Sequence, residues 1–224
     1  MIEVVLDTET TGLSVKEGHR IVEIGCLELN NCIPTKRIFH YHLNPERTVS
    51  EDAFKVHGYS DEFLADKKKF SEIVDEFLNF IGDNKLIIHN AAFDLSHLNN
   101  ELQIIKKIPL NKERVIDTLD IAREKFPGSQ INLDSLCKKF RIDNSKREKH
   151  SAIIDCELLS KVYINLIGEK EPKLDLLNNQ DKKKSLKTID EKIKYSKKII
   201  YPTHEELKLH KQFLKTEFKK NFFN

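Results

Sequence analysis

Two carboxylates, Asp7 and Glu9, stand one residue apart at the end of an apolar run near the start of the chain. Side chains of a strand alternate between its faces, so this spacing places both acids on the same face. Two acids on one face repel each other and lose hydration, which favours a cation between them. The pair therefore predicts a site for a divalent metal ion.

Three further residues have suitable chemistry. Asp94 stands where a short apolar strand leads into a helix, at the edge of an α/β sheet where ligands commonly bind. Asp155 lies on the apolar face of a predicted helix, so its charge needs a partner. His150 precedes it by five residues, and an imidazole with a pKa of about 6.5 suits proton transfer at neutral pH. Each signal alone is weak, but their joint occurrence in this order is far more specific.

The elements that must position these residues follow from hydrophobic periodicity. Strand patterns with short gaps open the chain and favour an antiparallel meander. Helices then alternate with short strands, which predicts an α/β fold with a mixed sheet flanked by helices. The predicted strands are 2–6, 20–30, 36–43, 86–88 and 115–116. The predicted helices are 50–58, 70–81, 91–102, 118–125, 133–140 and 151–167. Phe39, Phe54 and Phe77 are expected in the core.

Composition narrows the class of protein. The 224 residues are 39% hydrophobic and 33% charged, and no apolar stretch approaches the length of a membrane span. No signal-peptide pattern precedes the first strand, so we expect a cytoplasmic protein. The four cysteines are scattered, which argues against a disulfide framework or a zinc site built from cysteines.

Charge is distributed unevenly along the chain. Residues 1–167 hold 23 basic and 27 acidic side chains, a net charge of −4, whereas residues 168–224 hold 15 and 9, a net charge of +6. The first part therefore lacks the broad basic surface of proteins that bind nucleic acid by charge alone. If it acts on a phosphate polymer, a metal site must mediate the contact.

Three motifs carry a resemblance to a known family: residues 7–13 (DTETTGL), 89–94 (HNAAFD) and 150–155 (HSAIID). They resemble the exonuclease motifs of the DEDDh superfamily and, within it, the epsilon (DnaQ) family of proofreading subunits of bacterial DNA polymerase III. The likeness is strong over residues 2–167, and residues 201–210 loosely resemble the polymerase-binding end of that family. The resemblance implies an RNase H-like fold and a two-metal 3′→5′ exonuclease.

The resemblance also implies roles for the acids. Asp7 would bridge two divalent cations, Glu9 and Asp155 would complete their coordination, and Asp94 would bind through water. An all-carboxylate set suits the hard ions Mg²⁺ or Mn²⁺ better than zinc. His150 would be the general base that takes a proton from the attacking water.

The same resemblance assigns the substrate contacts. Asp52 and His57 would contact the terminal nucleotide, and Thr10 and Leu13 would pack around its base and separate it from its neighbour. Asp7, Glu9 and Asp155 would also face the substrate. Asp117 is expected either to support the site or to cap the helix that follows it.

These inferences predict a metal-dependent 3′→5′ exodeoxyribonuclease that proofreads for a replicative polymerase and releases nucleoside 5′-monophosphates from a frayed primer end. Two alternatives stay open: a stand-alone 3′→5′ exoribonuclease of the same superfamily, and a non-catalytic structural subunit of a polymerase. The separate tail argues against the first, and the filled catalytic positions argue against the second.

The predicted organisation has three parts. An exonuclease domain spans 1–168, a charged flexible linker spans 169–200, and a polymerase-binding segment spans 201–224. The last segment has weak helical spacing and is expected to bind the alpha subunit of DNA polymerase III. The DNA 3′ end and a small accessory subunit are the other expected partners, and no membrane is expected among them.

Overall fold

A computed structural model describes residues 1–145, 147, 149–168 and 201–217. The chain divides into two units, Met1–Leu174 and Asp175–Asn224. The predicted linker, 169–200, lies outside the described residues, as do the last seven residues of the predicted polymerase-binding segment.

The first unit is built on one mixed five-stranded sheet. Its strands are β1 (Ile2–Thr10), β2 (Ile21–Asn30), β3 (Ile33–His42), β4 (Lys85–Ile88) and β5 (Val115–Asp117). Their order is β3-β2-β1-β4-β5. The first three strands pair antiparallel, whereas β1–β4 and β4–β5 are parallel. The meander followed by parallel strands confirms the predicted mixed sheet.

Seven α-helices are described in this unit, and six of them follow the predicted helical periods closely. They are α1 (Glu51–His57), α2 (Asp61–Ala65), α3 (Phe70–Ile81), α4 (Ala91–Ile104), α5 (Thr118–Lys125), α6 (Leu133–Phe140) and α7 (Ala152–Ile167). Ser50 caps α1 by accepting from the Ala53 backbone N–H, as its position before two acids predicts. The short helix α2 was not predicted as a separate element.

Each face of the sheet has its own core. Val4 and Leu6 of β1 belong to a core with α3 and α4 on one face. Val5 belongs to a second core with α5, α6 and α7 on the other face. This alternation along β1 decides which helix each later residue of the strand meets.

Two sequence-based expectations are wrong here. The alternation of apolar and polar residues over 20–30 predicts a half-buried strand, but every residue from Ile21 to Leu29 is buried, because helices cover both faces of the sheet. Phe39 and Phe77 lie in the core as expected, whereas Phe54 is 43% exposed on α1.

The described part of the second unit is one helix, α8 (His204–Glu217). Thr203 and Glu206 begin it with reciprocal hydrogen bonds: the Glu206 carboxylate accepts from the Thr203 N–H, and the Thr203 hydroxyl accepts from the Glu206 N–H. Among the described residues, no helix is long and apolar enough to cross a membrane.

Candidate active site

Asp7 and Glu9 lie on β1 and point to the face that α7 covers. Val5 belongs to the core on that face, and strand alternation places both acids on the same side. Gly25 pairs with Asp7 across β1 and β2, and a Cβ at Gly25 would lie 2.7 Å from the backbone of Ala152. The start of α7 therefore packs directly against the strands at the level of Asp7.

A cleft of about 450 Å³ opens at this point, and we call it the carboxylate cleft. Its wall contains the four predicted metal ligands and the predicted base: Asp7, Glu9, Asp94, His150 and Asp155. Ligand atoms of Glu9, His150 and Asp155 all lie within 4.8 Å of one another. Residues from β1, α4, α7 and the loop before α7 thus meet in one place.

Asp94 is buried in the first turn of α4. Its Oδ1 atom accepts two hydrogen bonds from Thr8, one from the backbone N–H at 3.0 Å and one from the hydroxyl at 2.7 Å. Thr8 is the residue between Asp7 and Glu9 and points to the opposite face of β1. The hydrogen bonds therefore fix Asp94 relative to the other two acids.

Asp117 holds the turn that presents Asp94. Its carboxylate accepts from the backbone N–H groups of Asn90 and Ala91 at 3.0 and 2.9 Å, just where α4 begins. It also caps α5 by accepting from the Leu119 N–H at 2.9 Å. Both expected roles of Asp117, support and capping, are thus present in one carboxylate.

Asp155 is paired with Arg147, a residue that sequence reasoning missed. Arg147 donates to both carboxylate oxygens, with Nε to Oδ1 at 2.5 Å and Nη2 to Oδ2 at 2.7 Å. It also donates to Asp134 at 2.8 Å, and its side chain is only 6% exposed. The cationic partner that Asp155 requires is therefore supplied by the protein itself.

His150 stands at the mouth of the cleft with 45% of its side chain exposed. Its Nδ1 atom lies 3.5 Å from Asp155 Oδ2 and 4.0 Å from Glu9 Oε1, and Nη2 of Arg147 lies 2.8 Å from it. A guanidinium has only donors, so Nδ1 accepts and a neutral imidazole carries its proton on Nε2. The His150 N–H donates to the Val56 carbonyl at 3.2 Å, which ties this loop to α1.

The acids of the cleft differ in their pKa values. Burial, with repulsion from Asp94 and Asp155, raises the pKa of Asp7 well above its usual range. Burial and repulsion from Asp155 raise the pKa of Glu9 to about 8. Burial also raises the pKa of Asp94, to about 7, although the Thr8 hydrogen bonds oppose it.

Asp155 shows the opposite pKa shift. Burial alone would raise its pKa, but the interactions with His150 and Arg147 outweigh burial and lower it. Asp155 therefore has a bidentate cationic partner in Arg147, whereas the pKa values of Asp7, Glu9 and Asp94 stay raised.

A second cavity of about 520 Å³, which we call the side pocket, adjoins the carboxylate cleft. Glu9, Leu13 and Phe93 line both. The side pocket contains the four predicted substrate-contacting residues that lie outside the acid cluster: Thr10, Leu13, Asp52 and His57. Leu13 is 84% exposed at its edge, whereas His57 is buried at 3% exposure.

His57 is a buried residue in the wall of the side pocket. Its Nδ1 atom accepts from the Tyr59 N–H at 3.0 Å, so the neutral imidazole carries its proton on Nε2. Among the described residues, none forms a hydrogen bond with this buried Nε2 atom. A buried donor left in this state favours a polar ligand atom as its partner.

Comparison with known proteins decides the family. The exonuclease family model (RNase_T) matches residues 4–163. The DNA polymerase III subunit epsilon of Rickettsia felis is 47% identical over 222 residues, which cover 97% of each chain. That of Escherichia coli is 39% identical over 218 residues, covering 93% of this chain and 90% of the relative. The chain belongs to the DNA polymerase III epsilon family of exonucleases.

Solved structures agree with an epsilon-type fold. The nuclease domain of 3′hExo, a DEDDh family member bound to rAMP, has a TM-score of 0.65 at 16% identity and covers 74% of this chain and 91% of its own. Exonuclease X, in complex with 5′ overhanging duplex DNA, has a TM-score of 0.60 at 23% identity and covers 74% and 90%. The predicted RNase H-like exonuclease fold is thereby confirmed.

The cleft of this epsilon-family chain fits divalent cations. Its donors are carboxylate oxygens, the preferred ligands of hard divalent ions. Burial and mutual repulsion raise the pKa of Asp7 and Glu9, which is the electrostatic state that a bound cation relieves. The divalent-metal dependence of this exonuclease family therefore agrees with the residues present.

Proposed function

We propose that this chain hydrolyses the 3′-terminal phosphodiester of a primer strand and releases a nucleoside 5′-monophosphate, as the proofreading exonuclease of a replicative polymerase. The observation that carries the proposal is the meeting of four carboxylates and one imidazole beside a nucleotide-sized pocket. That arrangement supplies both parts of the reaction, a place for the phosphate and a place for the terminal nucleoside.

We assign the metal ligands as Asp7, Glu9, Asp94 and Asp155, with two Mg²⁺ or Mn²⁺ ions as the cofactors. When bound, two such ions activate water, orient the phosphate and neutralise the charge that develops on it. Asp94, Asp155 and Glu9 all act on the charge of Asp7. Asp7 would therefore help to hold both ions when they are bound.

His150 is assigned as the general base. It is exposed at the cleft mouth, and because Nε2 already carries a proton, the imidazole takes the proton from water at Nδ1 after that atom has released Arg147. Until that step, hydrogen bonds from Arg147 hold the side chains of Asp155 and His150 in place. This arrangement is therefore that of the site at rest.

The 3′-terminal nucleoside is assigned to the side pocket. The His57 Nε2–H is a buried donor for an oxygen of the sugar or base, and Asp52 is an exposed acceptor at the rim. Leu13, 84% exposed between the two cavities, separates the last base from its neighbour, and Thr10 fixes this turn by donating to the Gly12 carbonyl at 2.8 Å.

A primer-digestion assay tests the activity. A 5′-labelled primer with a mispaired 3′ end should shorten one nucleotide at a time with Mg²⁺ or Mn²⁺ and remain intact with a chelator. Nucleoside 5′-monophosphates are the expected products. Intact primer in the presence of metal would leave only the structural-subunit alternative, and faster digestion of a matched RNA strand would favour the exoribonuclease alternative. The names of the relatives favour DNA.

Replacing His150 by Ala tests the base. Loss of general-base catalysis should lower turnover by about 10²–10⁴-fold. Metal affinity, measured by calorimetry, should stay near that of the unmodified chain, because the carboxylate ligands are intact. Turnover near the unmodified level in His150→Ala would rule out this role.

The segment containing α8 is proposed to bind the polymerase alpha subunit, with 1–168 as the exonuclease domain and 169–200 as the tether. Leu209 and Phe213, one helical turn apart on α8, are 66% and 54% exposed and form an apolar stripe. A tethered nuclease gains substrate through effective concentration, so it needs little DNA affinity of its own.

A small accessory subunit is a further proposed partner, and the cytoplasm, where bacterial DNA is replicated, is the proposed location.

Charge substitution on α8 tests the polymerase contact. The double variant Leu209→Glu, Phe213→Glu should lose copurification with the alpha subunit while it still digests short single strands. Lys211→Glu, an exposed change on the same helix, is the matched control and should still copurify. Removal of residues 170–224 should have the same effect as the double variant. Full copurification of the double variant would refute the assignment.

A further inference from the structure

A second group of metal-ligating side chains lies on β2 and β3, outside the carboxylate cleft. Glu23 on β2 and His40 and His42 on β3 place one ligand atom each within 4.8 Å of one another. His40 and His42 are two residues apart, so they share a face of β3, and His42 is the cross-strand partner of Glu23. We propose that these three residues form a Zn²⁺ site with an open fourth position.

The distances suit a zinc ion. His40 Nε2 lies 2.6 Å and His42 Nε2 lies 3.7 Å from the same oxygen of Glu23, Oε1. Zn–N and Zn–O bonds of about 2.0–2.2 Å in a tetrahedral site separate neighbouring ligand atoms by about 3.3 Å. Relative to Oε1, His40 therefore needs to move outward by about 0.7 Å and His42 inward by about 0.4 Å.

The hydrogen bonds of Glu23 are divided between its two oxygens. One oxygen, Oε2, accepts from the Tyr59 hydroxyl at 2.8 Å and from the Ala152 N–H at 2.9 Å. Oε1 accepts from His40 and from the Ser151 hydroxyl at 3.0 Å. A Zn²⁺ ion on Oε1 would replace only the proton between Glu23 and His40, and the contacts that anchor α7 would stay.

The chemistry of the three ligands favours zinc over magnesium, and their exposure lets an ion reach them. Two imidazoles and one carboxylate are the ligands of an open zinc site, whereas Mg²⁺ prefers oxygen ligands alone. β3 is an edge strand, and the side chains of His40 and His42 are 31% and 26% exposed, which gives an ion a path to the buried Glu23. His42 packs edge-on against Tyr59 and Phe63, which holds its ring in place.

Calorimetric titration of the full chain with ZnCl₂ in excess Mg²⁺ tests the site, because Mg²⁺ occupies oxygen ligands in competition with zinc. The expected result is one Zn²⁺ ion that Mg²⁺ does not displace, together with a rise in melting temperature. His42→Phe keeps the ring packing and should weaken this binding at least about 100-fold, since even an outer partner of a ligand contributes 10–100-fold. His40→Gln, a second variant should the first fail to fold, should do the same.

Two results would overturn the proposal. One is zinc binding by folded His42→Phe or His40→Gln that equals binding by the unmodified chain. The other is zinc binding that Mg²⁺ displaces and that Glu9→Gln abolishes, which would place the ion in the carboxylate cleft. His204→Gln, a change on the exposed start of α8, is the matched histidine control and should bind zinc normally.

Discussion

Glu9 and Glu23 face each other across β1 and β2, and both are buried, yet their charges are handled in opposite ways. Glu23 accepts from His40, Tyr59, Ser151 and the Ala152 backbone. Burial would raise its pKa, but these hydrogen bonds outweigh burial and lower it.

Glu9 has no such set of donors among the described residues. Its Oε1 atom lies 4.0 Å from His150 Nδ1, and burial with repulsion from Asp155 outweighs the charge of Arg147 and raises its pKa to about 8. This difference distinguishes a structural buried carboxylate from a functional one. A carboxylate that accepts hydrogen bonds from several elements of the fold holds those elements together, whereas a carboxylate without such donors favours binding of an external ligand.

Paired glutamine substitutions should separate the two residues most strongly in activity. Glu9→Gln removes a charge from the metal site, and the loss of several kcal/mol of transition-state stabilisation corresponds to about 10³-fold in turnover. Glu23→Gln leaves all cleft ligands in place and should retain turnover within about tenfold once folded. Single-turnover digestion of a mispaired primer measures turnover in both variants. Equal losses would show that Glu9 and Glu23 do not differ in function.

In the metal-free protein, the same two variants should differ in the opposite sense, with Glu23→Gln losing more stability than Glu9→Gln. Glu23→Gln turns an acceptor of four hydrogen bonds into a group with one acceptor oxygen, and should lower the free energy of unfolding by about 2–4 kcal/mol. Glu9→Gln removes an unpaired buried charge at pH 8 and should leave the melting temperature unchanged or raise it. Calorimetric melting with chelator decides, and a less stable Glu9→Gln would contradict the distinction.

The patterns that singled out the cleft residues are local, since strand alternation and the joint motifs need no knowledge of distant contacts. Asp7 and Glu9 share a face because they are two residues apart on β1. The same local reasoning predicted that Asp155, an acid on an inward helix face, needs a partner. The family and its exonuclease fold followed from the motifs and are confirmed.

The partners themselves could not be predicted, because they come from other elements. Arg147 reaches Asp155 from the loop before α7, and a basic run in a loop resembles a solvated surface. Glu23 occupies a polar position in an alternating strand, which indicates exposure until α7 is known to cover that face. In both cases tertiary packing, rather than local pattern, decides the environment of the charge.

The stability of the metal-free protein should depend on pH because the folded state raises the pKa of Glu9. Glu9 has a folded pKa of about 8 against about 4.5 for an ordinary glutamate, so its protonated form favours the folded state. Stability should therefore be highest near pH 5 and fall as pH rises to 8, by roughly 5 °C in melting temperature. Asp94, with a pKa of about 7, acts in the same direction.

Divalent cations should cancel this loss, since they bind the ionised acids of the folded state. Melting curves at pH 5 and pH 8, each with chelator and with Mn²⁺, should show a larger rise on adding metal at pH 8. In Glu9→Gln, the melting temperature measured with chelator should change less between pH 5 and pH 8. A metal-free protein whose melting temperature rises from pH 5 to 8 would contradict the raised pKa values.

Glu28 provides the smallest test, because it is a glutamate on the same strand that accepts hydrogen bonds from fewer donors than Glu23. It lies on β2 at 6% exposure and accepts from the Thr35 hydroxyl at 3.0 Å and from Arg37 at 2.5 Å. The Arg37 side chain is 62% exposed, so solvent screens this pair, unlike the donors around Glu23. Glu28→Gln should therefore lower the free energy of unfolding by only about 1 kcal/mol, with turnover unchanged. A loss as large as that of Glu23→Gln would mean that burial, and not the number of internal donors, sets the contribution of these glutamates.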